Sequence, residues 1–107
     1  MNKTKLKKLK DLGWVVGDTQ EFLGLSDEEY LLVKVKLTLA RYLKETRQAQ
    51  GVSQIDLADS IGSSQSRVSK MEKAQKSVSL DLLFQTLFSL GVTQKEIGKL
   101  IAKAVWI

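Results

Sequence analysis

The 107-residue chain has no cysteine, no histidine and no proline, and these absences exclude several classes of protein. Without cysteine and histidine there is no disulfide, no Cys/His zinc site, no thiol nucleophile and no histidine general base. We therefore expect no metal, no cofactor and no enzymatic activity. The acidic cluster at 27–29 does not change this expectation, because it stands at a predicted helix start, where the helix dipole favours carboxylates.

The chain also lacks any run of about 18 apolar residues, so the sequence predicts no membrane-spanning helix. Residues 3–10 hold five lysines, as a signal peptide can, but no apolar core or cleavage site follows them. The expected location is the cytoplasm.

Seventeen basic against twelve acidic residues give a net charge of +5, which favours association with polyanions. The lysine-rich tip is interpreted as a solubilising tail, with nonspecific contact to nucleic acid as the alternative.

An apolar content of 43% without proline favours helices over short strands. Serine or threonine caps open the expected helices, and glycines end several of them. These signals predict five helices, at about 27–50, 54–61, 65–73, 80–90 and from 94 onwards. Residues 1–25 are expected to form a basic, partly apolar N-terminal arm, and residues 26–107 one helical domain. On the first helix, helical spacing predicts a buried stripe of Leu32, Val35, Leu39, Tyr42 and Leu43.

The segment 54–73, QIDLADSIGSSQSRVSKMEK, meets the requirements of a helix-turn-helix, in which two short helices cross steeply around a turn. Ala58 supplies a small residue where the helices come closest. Gly62 supplies the turn residue, which takes a backbone conformation costly for residues with a Cβ. Leu57, Ile61, Val68 and Met71 are expected to face the core.

The outer face of the second helix is polar and contains no acid. Its side chains donate hydrogen bonds, as contacts to base edges and phosphates require, whereas a carboxylate would be repelled by the DNA backbone. An ordinary helical hairpin with a solvated face is the alternative. The face consists of Gln65, Ser66, Arg67, Ser69 and Lys70.

Residues 47–90 resemble the Cro/C1-type (Xre) helix-turn-helix family of phage repressors. The resemblance implies an all-α, five-helix, lambda-repressor-like DNA-binding domain that regulates transcription. The segments GWVVGDTQEFLGLSDEE (13–29) and SVSLDLLFQTLFSLG (77–91) further resemble HigA-like antitoxins. The family spacing is carried by Arg47, Gln54, Ala58, Gly62, Ser64, Gln65, Val68 and Glu72.

The family pattern implies which side chains of the second helix face bases in the major groove. They are Gln65, Ser66 and Lys70. A glutamine is suited to bidentate pairing with adenine, and a lysine to the O6 and N7 atoms of guanine. Arg67 and Ser69 could contact either bases or phosphates, and the sequence leaves this open.

Phosphate contacts are expected from Gln54, Ser64, Lys73 and Lys76, with solvated surface lysines as the alternative for the last two. The resemblance also implies a structural ion pair between Arg47 and Glu72 that orients the second helix. The usual glycine soon after that glutamate is missing. Ala74 and Gln75 stand there instead, so the turn into the fourth helix is expected to differ.

The family binds palindromic DNA as a dimer, which implies a homodimer here. The C-terminal part has more apolar surface than a small core requires, and core packing is the alternative use of that surface. The expected dimer residues are Phe84, Phe88, Ile97, Ile101, Val105 and Trp106. The antitoxin resemblance further implies an RNase-type toxin as partner, with Trp14, Val16, Phe22 and Leu23 as anchors. Toxin neutralisation without specific DNA reading and a stand-alone phage-type repressor are the alternative functions.

Overall fold

The computed structural model describes residues 26–103, which form five α-helices and no strand. The helices are α1 (Asp27–Ala49), α2 (Gln54–Ser60), α3 (Gln65–Glu72), α4 (Leu80–Ser89) and α5 (Gln94–Ala102). The expected all-α, five-helix fold is confirmed. The arm predicted for residues 1–25 lies outside the described residues. Between residues 26 and 103, no helix is long and apolar enough to cross a membrane.

Each helix begins at a hydroxyl side chain. The residue before the helix has an extended backbone, and its side-chain oxygen accepts the N–H three positions on, at 3.0–3.2 Å. One otherwise unpaired donor is satisfied in this way, which stabilises a helix by about 1 kcal/mol. The caps are Ser26, Ser53, Ser64, Ser79 and Thr93.

The first four helices all end on a residue in the left-handed conformation. Three of these residues are glycines, at 51, 62 and 91, and the fourth is Ala74 with φ 53°. In each case this N–H and the next one bond back to carbonyls of the last helical turn. Ala74 thus takes, after α3, the left-handed conformation that glycines take after α1, α2 and α4. That this turn differs from the family pattern stays a prediction. The Cβ of Ala74 costs about 1–2 kcal/mol in this conformation, and burial of the methyl group offsets part of that cost.

A single apolar core joins the five helices. Helix α1 contacts α3, α4 and α5, while α2 packs mainly on α3. Ala58 is buried between α2 and α3, where a larger side chain would push the two helices apart. The core cluster consists of Leu39, Leu43, Leu57, Ala58, Val68, Met71, Val78, Leu83, Leu87, Val92 and Ile97.

The buried stripe of α1 differs from the predicted one. Leu32 is 41% exposed, so its assignment to the stripe is wrong, and Val35 and Tyr42 are only half-buried. Leu39 and Leu43 are buried as predicted. Apolar periodicity could not find Lys36 and Arg47, because they are cations that bond to groups on other segments. The buried residues of α1 are Val33, Lys36, Leu39, Ala40, Leu43 and Arg47.

Candidate nucleic-acid interface

Helix α3 presents one polar face to solvent. Val68 and Met71 are fully buried on its other side, which fixes the rotation of the helix about its axis. Glu72 is the only acid of α3, and its side chain is directed into the protein. The exposed face therefore has no negative charge. It carries the exposed Gln65, Ser66, Arg67 and Lys70, with Ser69 half-buried beside them.

An ion pair ties the end of α3 to α1. Arg47 Nε donates to Glu72 Oε2, and Arg47 Nη2 donates to Glu72 Oε1 at 3.1 Å. The remaining nitrogen, Nη1, donates to the carbonyl of Val52 at 2.8 Å. The side chains of Arg47 and Glu72 are 10% and 3% exposed. The structure thus brings together the two residues that the family resemblance pairs.

The guanidinium of Arg47 stays charged in this buried position. Its hydrogen bonds to Glu72 raise the pKa of Arg47 above the usual value, and the negative charge of Glu72 adds to the rise. Burial lowers the pKa of Arg47, by less than the hydrogen bonds raise it but by more than the charge of Glu72 adds. Stability from a raised arginine pKa is lost only at pH values above the ordinary arginine pKa. Protonation of Arg47 therefore holds the pair together throughout the neutral range.

Two glutamines extend this ion pair to the start of α3. Gln54 Nε2 donates to Glu72 Oε1 at 3.0 Å, and Gln65 Nε2 donates to Gln54 Oε1 at 3.3 Å. The chain of contacts orients the Gln65 amide but uses only one of its two N–H groups. One N–H and the carbonyl oxygen of Gln65 remain, which are the two groups that bidentate pairing with adenine requires. One N–H of Gln54 likewise remains for a phosphate.

The other predicted phosphate residues lie at the two ends of α3. The Ser64 oxygen accepts from Arg67 N–H at 3.2 Å, which leaves the hydroxyl hydrogen to donate outward. Lys73 follows the last residue of α3, and Lys76 lies in the turn before α4; both side chains are exposed. Their positions suit a polyanion that runs along the exposed side of α3.

A polar cleft of about 370 Å³ separates α3 from the start of α4. Hydroxyls and two cations line it without any carboxylate, a composition that suits a phosphate group. The cleft includes Ser77 and Ser79, which sequence reasoning did not assign to DNA; only the cap at Ser79 was recognisable as a local signal. Arg67 lines this cleft together with Ser66 and Lys70, so the choice between a base and a phosphate stays open for Arg67. The polar lining residues are Ser64, Ser66, Arg67, Lys70, Ser77 and Ser79.

The predicted dimer residues separate into different environments. Ile97 is 5% exposed and belongs to the core cluster, so it packs in the core, which was the alternative to a dimer contact. Phe88 is 47% exposed and stacks on the half-buried Phe84, with ring centroids 6.5 Å apart. Ile101 is 36% exposed. Outside the described residues lie the dimer residues Val105 and Trp106 and the toxin-contact residues Trp14, Val16, Phe22 and Leu23.

A family model described as helix-turn-helix matches residues 43–85, from the last two turns of α1 to the middle of α4. The matched segment contains α2, the turn, α3 and both residues of the buried ion pair. No curated protein and no solved structure matches the chain.

Proposed function

We propose that this chain, which carries a helix-turn-helix domain at residues 43–85, is a sequence-specific repressor that binds a palindromic operator as a dimer. The domain itself supports DNA binding in transcription regulation. The observation that supports sequence-specific binding is the exposed face of α3, which carries no acid. The first side chain of this face, Gln65, is held by a hydrogen bond to Gln54, which in turn donates to Glu72. A cytoplasmic location, where bacterial DNA lies, is part of this proposal and is supported by the resemblance to phage repressors.

Reading of bases fits the chemistry of this face. Gln65 keeps a donor and an acceptor for adenine, and Lys70 offers an ammonium group for the O6 and N7 atoms of guanine. Ser66 is exposed between them, while Ser64 and the cleft beside α4 suit the adjacent phosphates. Phosphate contacts position the helix, and base contacts provide the specificity.

A dimer supplies the second half-site. One short helix reaches too few bases to select one site, and a two-fold dimer doubles the contacts on a palindrome. Of the dimer residues named from the sequence, Phe84, Phe88 and Ile101 are the described ones that keep apolar surface exposed to solvent. Phe84 and Phe88 stack on each other on α4, and Ile101 lies on α5.

The test is binding of the purified chain to DNA from its own promoter and to a scrambled fragment, by fluorescence anisotropy. We expect at least about a thousandfold preference for the promoter, typical of specific over nonspecific binding. Hydroxyl-radical footprinting should show two protected half-sites about 34 Å apart, one helical turn of DNA. Equal affinity for both fragments would count decisively against sequence-specific repression.

We further propose that the repressor is an autoregulating antitoxin. Support for this comes from the resemblance of segments 13–29 and 77–91 to HigA-like antitoxins. If a neighbouring gene encodes a small basic protein, co-expression should give a stable complex that survives gel filtration. A Trp14→Ala/Phe22→Ala variant should lose that complex while keeping the promoter affinity of the wild type. Failure of the wild-type chain to bind that neighbour would leave a stand-alone repressor.

A further inference from the structure

The buried stripe of α1 carries a second cation besides Arg47. Lys36 is 5% exposed and lies eleven residues before Arg47 on the same side of the helix, about 16 Å away along its axis. Its Nζ donates to the backbone carbonyl of Lys76 at 3.3 Å, across forty residues of sequence. Lys36 therefore contacts the turn between α3 and α4.

A lysine is an unusual residue for a buried position. Burial of an ammonium group costs free energy unless polar groups compensate for the lost water, and an apolar side chain would avoid that cost. Burial, and to a smaller extent the charge of Lys76, lowers the pKa of Lys36. Among its interactions, Lys36 provides a hydrogen bond to the Lys76 carbonyl, which an apolar side chain could not make.

The turn that Lys36 contacts carries candidate phosphate ligands. It includes Lys73, Lys76 and Ser77, and its backbone passes through the left-handed Ala74. A residue in this conformation persists only where surrounding contacts determine it. Arg47 fixes the α3 end of the turn through Glu72, and Lys36 contacts the turn four residues further on.

We propose that Lys36 is a positioning residue for DNA binding: by binding the Lys76 carbonyl, it places the α3–α4 turn where its side chains meet the phosphates flanking the bases read by α3. The side chain of Lys76 is exposed, while its carbonyl accepts from Lys36 on α1. This proposal rests on the proposed function, since it concerns the same DNA surface.

The experiment compares wild type with Lys36→Met, which keeps the aliphatic stem but removes the donor. Lys34→Met is the matched control, because it removes the same charge from the same helix at a site outside the buried stripe. Lys36→Arg keeps a donor. Affinity for promoter DNA and for scrambled DNA is measured at four salt concentrations, and thermal unfolding is followed by circular dichroism.

For Lys36→Met we expect about tenfold weaker binding to both DNAs at 0.1 M salt, with a salt-dependence slope smaller by about one, the effect of one lost phosphate contact. Lys36→Arg and Lys34→Met should keep the wild-type slope. Wild-type slopes in all three variants would overturn the proposal, as would equal reductions in Lys36→Met and Lys34→Met. If Lys36→Met does not fold, Lys36→Leu, which likewise has no donor, takes its place in the same comparison.

Amide hydrogen exchange separates failure of this proposal from failure of the proposed function. Loss of the Lys36 contact should speed exchange of the amides at 74–78 at least threefold, while those of the α2 core stay unchanged. Unchanged exchange in the turn overturns the positioning role even where promoter binding is intact. Conversely, a wild-type chain that binds neither DNA overturns both, whatever the exchange rates.

Discussion

Replacement of Gln65 and Lys70 together by alanine should reduce affinity for promoter DNA between about thirtyfold and ten-thousandfold. Each good base contact contributes about 1–3 kcal/mol of discrimination, and about 1.4 kcal/mol corresponds to a tenfold change in affinity. Both side chains are exposed, so the fold should be preserved. Binding to scrambled DNA should weaken less than tenfold, because only one phosphate-attracting charge is lost. Anisotropy titrations on the two fragments measure both effects.

Helix α5 offers a matched control for this double variant. Gln94 is the first residue of α5, as Gln65 is of α3, and Lys99 follows it at the same five-residue spacing as Lys70. Both control side chains are exposed. Gln94→Ala/Lys99→Ala should keep promoter affinity within about threefold of wild type, with the oligomeric state checked by sedimentation. If the two double variants lose affinity equally, α3 is not the helix that reads the bases.

The second large effect concerns stability. Glu72→Gln should lower the free energy of unfolding by about 3–5 kcal/mol, because it leaves the buried Arg47 without its counter-charge. Glu72 also accepts from Gln54, so an amide there would place a donor against the donors of Arg47 and Gln54. Small domains have a total stability of about 5–15 kcal/mol, so this variant should be close to unfolding at 37 °C. Urea unfolding monitored by circular dichroism measures the change.

The double variant Arg47→Met/Glu72→Met is the control for that measurement. Removal of both charges leaves no unpaired ion, so the double variant should be more stable than Glu72→Gln. If Glu72→Gln lowers the free energy of unfolding by less than about 1 kcal/mol, or if the double variant is the less stable one, Glu72 does not stabilise the fold by compensating the buried charge of Arg47. Loss of promoter affinity at temperatures where the double variant is folded would show that the pair also orients α3.

The helices and their order were predictable from the sequence because their signals are local. A hydroxyl N-cap accepts a hydrogen bond from an N–H only three residues further on. A residue in the left-handed conformation after a helix bonds back only to the last turn of that helix. Gly62 and Ser64 mark the helix-turn-helix in this way. Ala74 escaped recognition as a stop because an alanine adopts this conformation only when its surroundings determine it.

The interior of the site was less predictable because it depends on contacts between distant segments. The Arg47–Glu72 pair could be named from the family pattern, but its extension through Gln54 to Gln65 requires the packed arrangement of α2 and α3. Apolar periodicity placed Leu32 in the core and overlooked Lys36. That lysine is buried because a carbonyl forty residues away accepts its hydrogen bond, and spacing alone does not contain this information.

The way in which the first four helices end, at a residue in the left-handed conformation, also affects how fast the protein folds. Four turns stop their helices through backbone hydrogen bonds within a few residues, and none of them uses proline, which the chain lacks altogether. Peptide-bond isomerisation before proline takes about 10–100 s at 25 °C, and no such step delays this chain. Helical folds with local contacts form in microseconds to milliseconds. A newly made copy should therefore fold well within a second. In the proposed dimer, the concentration-dependent pairing of subunits would then be the slower step.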